Sequence, residues 1–115
     1  MLSWERIAEM ARGACAHDER SYRTPETLER YRARGCTLDL DFATEWLFVR
    51  NAYPYDTEPG ITHHVLFRRR DLPMASPRGF LDGAALTGEN VVWFENPPSR
   101  RSIRTVRHFH VFVRE

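Results

Sequence analysis

The run His108-Phe109-His110-Val111-Phe112-Val113 constrains this chain more than any other stretch. Side chains alternate along a strand, so the run reads as the final strand, over residues 107–113. Phe109, Val111 and Val113 then share one face, which is expected to be the core face. His108, His110 and Phe112 share the other, with the two imidazoles about 7 Å apart along the strand. A sheet must therefore close around the C-terminal end of the chain.

The earlier segments supply the rest of that sheet and two helices. Ile7, Met10, Ala11 and Ala14 recur at helical spacing over residues 2–14. A second helix starts at Thr24, which suits an N-cap, followed by Pro25 at the first helical position and Glu26 in the first turn. Leu28, Tyr31 and Leu38 are expected to face inward, and Gly35 to stop the helix. Leu47-Phe48-Val49, residues 62–68 and residues 91–95 read as strands. Residues 51–60 form a loop punctuated by two prolines and a glycine, and residues 79–86 a short helix ended by Gly88. Asn96-Pro97-Pro98 breaks the third strand and sets the direction of residues 99–107. The expected fold class is α+β: two N-terminal helices, then a mainly antiparallel sheet of about four strands. At 115 residues this is one domain, with a helical part over about 1–36 and a sheet part over about 42–115.

Composition narrows the function classes. The net charge is +1, which argues against a dedicated nucleic-acid or membrane binder. No stretch approaches the ~20 apolar residues of a membrane span, no apolar signal core is seen, and the expected location is the cytoplasm. Cys15 and Cys36 form neither a disulfide framework nor a metal-site spacing and read as reduced thiols. All 17 basic residues are arginine, a side chain whose rigid fork suits phosphate and carboxylate.

Arg100, Arg101, Arg104, Arg107 and Arg114 surround the last strand. Imidazoles beside guanidinium groups suit an anionic ligand, most simply a phosphate. His63 and His64 are adjacent and point to opposite faces of their strand, so one of them can join the His108/His110 surface. The same imidazoles also admit a zinc site of three histidines. His17 stands alone in a polar linker and takes no role.

Three blocks carry a family resemblance. Arg23-Thr24-Pro25-Glu26-Thr27-Leu28-Glu29-Arg30-Tyr31 comes first. Asn51-Ala52-Tyr53-Pro54-Tyr55 follows, with Glu58-Pro59-Gly60-Ile61-Thr62-His63. Trp93-Phe94-Glu95-Asn96, Ser102-Ile103-Arg104 and Val106-Arg107-His108-Phe109-His110-Val111 complete the set. Together they resemble the N-acetylglucosamine-induced protein family, known mainly from fungi, whose name implies no biochemical activity. A looser resemblance is to the histidine-triad proteins. It rests on Asn51 and Pro54, on Pro59-Gly60 with His64, and on Thr105-Val106-Arg107-His108-Phe109-His110. That resemblance implies a histidine-triad-like sheet, a nucleotide substrate, His110 as nucleophile, His108 as its orienting partner, Asn51 near a ribose, and a homodimer. The third histidine of such a triad is here Phe112, which neither contacts phosphate nor moves a proton.

The expected function is therefore binding of a phosphate-containing small molecule, nucleotide or phosphosugar, on the His108/His110 face. Asn51, His64, Asn96, Ser102, Arg104 and Arg107 are its expected ligand-binding residues, without a cofactor or metal. The alternatives are a nucleotidyl hydrolase or transferase acting through His110, and a non-catalytic protein-interaction domain.

Overall fold

The computed structural model describes residues 1–13, 22–33, 43–73, 75–95 and 107–115. The elements run α1 (Trp4–Ala11), α2 (Pro25–Ala33), β1 (Trp46–Arg50), β2 (Ile61–Arg68), α3 (Arg78–Gly83), β3 (Val91–Phe94) and β4 (His108–Arg114). The strands form one sheet in the order β1-β2-β4-β3, and all three pairings are antiparallel. The α+β class read from the sequence is the class observed. Leu38, Gly35, Cys15, Cys36, His17 and the Asn96-Pro97-Pro98 break lie outside the described residues.

Local chemistry explains the helix ends. Ser3 caps α1, its side chain accepting from the Arg6 amide at 3.2 Å, and Gly13 closes it at φ +70°. The Thr24 hydroxyl caps α2 by accepting from the Thr27 amide at 3.2 Å. No residue of α2 is buried, so Leu28 and Tyr31 are only half covered. Helix α3 stops at Gly83, earlier than its apolar pattern implies. The Leu86 amide turns back to the Leu81 carbonyl at 2.8 Å and the Ala85 amide to the Asp82 carbonyl at 3.1 Å. That is the paired 6→1 and 5→2 bonding of a Schellman motif. Its left-handed position, usually glycine, is Ala85 at φ 58°. Leu81 and Leu86 sit in the same apolar cluster, the hydrophobic contact that accompanies this cap.

The sheet is covered on both faces. One face packs Leu66, Phe109 and Val111 against Leu81 of α3, with Trp46, Phe48, Phe80 and Trp93 around them. The other packs Phe94 and Phe112 under Leu2, Ile7, Met10, Tyr22 and Tyr55. This second layer hangs from the loop after β1. The Leu2 amide donates to the Asp56 carbonyl at 2.6 Å, the Glu58 amide to Leu2 at 3.0 Å, and the Asp56 amide to Tyr22 at 2.5 Å.

That layer overturns one expectation. The face bearing His108, His110 and Phe112 is not open to solvent: their exposures are 6%, 3% and 0%. β4 is a central strand, between β2 and β3. Alternation in a strand covered on both sides separates two buried faces rather than an inside from an outside.

Candidate functional site

Register decides which histidines meet. In the β2–β4 pairing, His63 lies opposite Phe112, Val65 opposite His110, and Phe67 opposite His108. Opposed residues share a face, so His63, His108 and His110 point into the same layer. His64 lies opposite Val111 and Arg50 and points to the other face, stacked on Phe48 at 4.8 Å. Its Nε2 is 3.1 Å from the Thr62 hydroxyl. The structure thus places His63, not the expected His64, beside His110. Burial, then the charge of Arg50, holds His64 below the usual imidazole range.

His63 Nε2 lies 2.8 Å from His110 Nδ1, with both rings buried. The Tyr55 backbone amide donates to His63 Nδ1 at 3.1 Å. An amide nitrogen only donates, so Nδ1 of His63 is the bare nitrogen and its Nε2 carries the proton in the neutral ring. That proton points at His110 Nδ1, which must accept it. Neutral His110 therefore carries its own proton on Nε2. One main-chain amide sets the polarity of both rings. Burial holds the His63 pKa well below the usual imidazole range, and the charges of His110, Arg23 and His64 push it the same way.

Aromatic rings enclose the pair. Phe112 stacks on His63 at 4.2 Å. Tyr55 lies 4.7 Å from His63 and stacks on His110 at 5.4 Å, and Phe94 is 5.5 Å from His110. His108 meets His110 edge-on at 5.7 Å and lies 5.7 Å from Phe67. Arg23 locks the lid. Its guanidinium sits over Tyr31 at 4.1 Å and over Tyr55 at 4.9 Å, and its Nε donates to the Tyr53 carbonyl at 2.9 Å.

Asn51 lies beside His63. Its amide nitrogen is 3.5 and 3.4 Å from the two ring nitrogens of His63. Being almost equidistant from both, it lies over the ring rather than on a lone pair. Its Oδ1 accepts from the Tyr53 amide at 2.8 Å, which shapes the loop that carries Tyr55. Arg107 is held elsewhere, in a two-pronged pair with Glu95 at 3.1 and 2.9 Å. That carboxylate raises the Arg107 pKa. Asn96, Ser102 and Arg104 lie outside the described residues. Among the described residues, no three His, Cys, Asp or Glu side chains are grouped to hold a metal.

A cleft of about 230 Å³ reaches His63 from the surface, lined among others by Thr24, Thr27, Arg50, Asp56 and Thr62. Arg50 is exposed and makes no ion pair among the described residues. The sequence reading missed Arg50, Arg23 and the Tyr55 amide. Nothing local marks them, because the cleft forms only where the start of α2 and the residue 51–58 loop lie beside the ends of β1 and β2.

Comparison with known proteins agrees with the fold and with the C-terminal block. Residues 77–114, from α3 to the end of β4, match a family described as a protein of unknown function, DUF3605. The chain is 25% identical over 153 residues to the uncharacterized protein YPL067C of Saccharomyces cerevisiae, covering 96% of this chain and 77% of the yeast protein. It superposes on the crystal structure of HTC1 with a TM-score of 0.67 at 20% identity, over 100% of this chain and 86% of that one. Among the described residues no helix is long and apolar enough to cross a membrane. The chain thus shares the fold of HTC1 and, through its C-terminal third, resembles a family of unknown function that includes the His108–His110 strand in its matched region.

Proposed function

We propose that this chain binds a phosphate-containing small molecule, a nucleotide or phosphosugar, in the cleft between the start of α2 and the ends of β1 and β2. The ligand reaches the histidine face at its His63 end rather than over His108 and His110. The observation that carries this reading is Arg50: an exposed guanidinium without an ion pair among the described residues, on a cleft also lined by Thr24, Thr27 and His63. Guanidinium and hydroxyl donors together suit phosphate oxygens.

The geometry favours binding over chemistry. A nucleophilic His110 needs a bare nitrogen facing the substrate, and the Tyr55 amide, acting through His63, leaves the bare nitrogen of His110 turned toward His63. Phe112 offers no third imidazole. In this reading the chain is a cytoplasmic member of the N-acetylglucosamine-induced protein family with a histidine-triad-like sheet, working as a homodimer without a cofactor. The in-order sequence blocks support the family, and the antiparallel sheet with paired histidines supports the sheet type.

A thermal-shift screen tests the reading, using nucleoside mono- and diphosphates, nucleotide sugars and sugar phosphates against wild type, Arg50→Ala and His110→Ala. A ligand at a hundred times its dissociation constant adds about 2.7 kcal/mol to native stability. The expected result is a shift for one ligand class that disappears in Arg50→Ala. A wild type unmoved by every compound, or a shift that Arg50→Ala retains, counts against the cleft.

A further inference from the structure

The polarity of the histidine pair has a consequence for how the fold answers acid, and it does not depend on any ligand. We propose that His63 and His110 form a proton-sensitive latch: a single proton taken up by either ring breaks the bond to the Tyr55 amide and frees the residue 51–58 loop together with the N-terminal layer that hangs from it.

The neutral pair has one donor for each acceptor along the row Tyr55 N–H, His63 Nδ1, His63 Nε2–H, His110 Nδ1. A proton added to His63 must sit on Nδ1, where it faces the Tyr55 N–H donor. A proton added to His110 must sit on its Nδ1, where it faces the His63 N–H. His63 can restore that bond only by moving its own proton to Nδ1, and the conflict returns to Tyr55. Each protonated arrangement leaves two donors facing each other in a buried place, where a lost bond is not replaced by water and the added charge raises the cost. The relief is for one side to move. β2 and β4 are held by their ladder; the loop is not part of the sheet.

The surroundings make the proton costlier still. Arg23 from the layer, His64 from β2 and His110 from β4 all place charge that opposes a proton on His63. Arg50 of β1 and Asp56 of the loop line the adjoining cleft. Tyr55, backed by Tyr22, faces the pair from the layer, Phe94 faces it from β3, and α1 contributes the apolar Ile7 and Met10 to the same cluster. Moving the loop also moves its cargo. Leu2, Tyr22 and Arg23 are bonded to the loop backbone at Asp56, Glu58 and Tyr53, so α1 and α2 lose their shared anchor when it goes.

Hydrogen exchange of the full-length chain, followed residue by residue between about pH 7.5 and about pH 5, tests the latch. After correction for intrinsic exchange, protection of the Tyr55 and Asp56 amides is expected to fall about tenfold per pH unit below about pH 6.5, one proton being linked to opening. Protection of Leu66 and Val111 in the central strands is expected to stay above that of Tyr55 and Asp56 throughout, because the loop opens without unfolding the sheet. Constant protection at Tyr55, or protection at Tyr55 and Asp56 as high as at Leu66 and Val111, overturns the proposal. The double variant His63→Gln, His110→Gln supplies an oxygen at position 63 to accept from the Tyr55 amide and leaves neither ring of the pair to titrate, and in it the pH dependence is expected to vanish; a dependence that persists overturns the proposal. Nitrogen-15 shifts of the wild-type imidazoles give an answer even where that variant fails to fold. His63 Nδ1 must be the bare nitrogen at neutral pH, and a proton found there overturns the latch.

Discussion

Replacing Phe112 by alanine separates a covered histidine face from an open one. The ring is fully buried and meets three other rings, stacking on His63 at 4.2 Å and on Phe94 at 5.8 Å and lying 5.9 Å from Tyr55, within the cluster that holds Ile7 and Met10. Burying a phenyl group of about 150–200 Å² contributes about 4–5 kcal/mol at 25 cal/mol per Å². Truncation series that include the cavity left behind give about 3–5 kcal/mol. The partners here belong to a sheet and to a layer on its far side, so collapse of the cavity is only partial. Against a whole-domain stability of about 5–15 kcal/mol, the loss is severe but measurable. Urea unfolding reads it directly: with a slope of about 1.5–2 kcal/mol/M, the midpoint falls by about 1.5–3 M at unchanged slope. A loss below about 1 kcal/mol refutes the reasoning, because that is the range of exposed positions. It would mean that the layer of α1, Tyr22 and Tyr55 does not lie over this face.

Three other outcomes follow from named features. Global stability falls below about pH 6.5: burial lowers the His63 pKa in the folded state, so the unfolded chain binds the extra proton, and each pH unit costs up to about 1.4 kcal/mol per imidazole, read by denaturant midpoints across pH; a flat profile contradicts it. Ala85→Gly stabilises by about 0.5–1 kcal/mol, since Ala85 occupies a left-handed position at φ 58° where glycine carries no steric cost, and a lower unfolding midpoint in the variant contradicts the Schellman geometry. Arg23→Met loses two cation–π contacts and the bond to the Tyr53 carbonyl, costing about 1–3 kcal/mol and exposing α2 to limited proteolysis, whereas wild-type protease resistance would show that α2 is held by something else.

HTC1 shares the fold of this chain, and the yeast relative shares a quarter of its residues over the aligned length.

Much of the architecture was legible in one dimension. Helical spacing of Ile7 and Met10, the Thr24-Pro25-Glu26 start of α2, and the alternation in residues 108–113 are short-range signals, written within a turn or two of the backbone. They determined the order of elements, the α+β class and the sharing of one face by His108 and His110. The burial of that face was not legible, because alternation divides a strand into two faces without saying what lies over either. Only the tertiary structure brought Leu2, Tyr22 and Tyr55 across it. The choice of His63 over His64 was equally hidden. It depends on a single-residue register between β2 and β4, and a slip of one exchanges every side chain between faces. The chemical character of His110 was further away still. Its protonated nitrogen is dictated by the amide of Tyr55, 55 positions earlier in the chain, acting through a third residue. Such a bond has no signature in residue type, since every amide donates, and it acquires its meaning only where the fold buries it beside an imidazole.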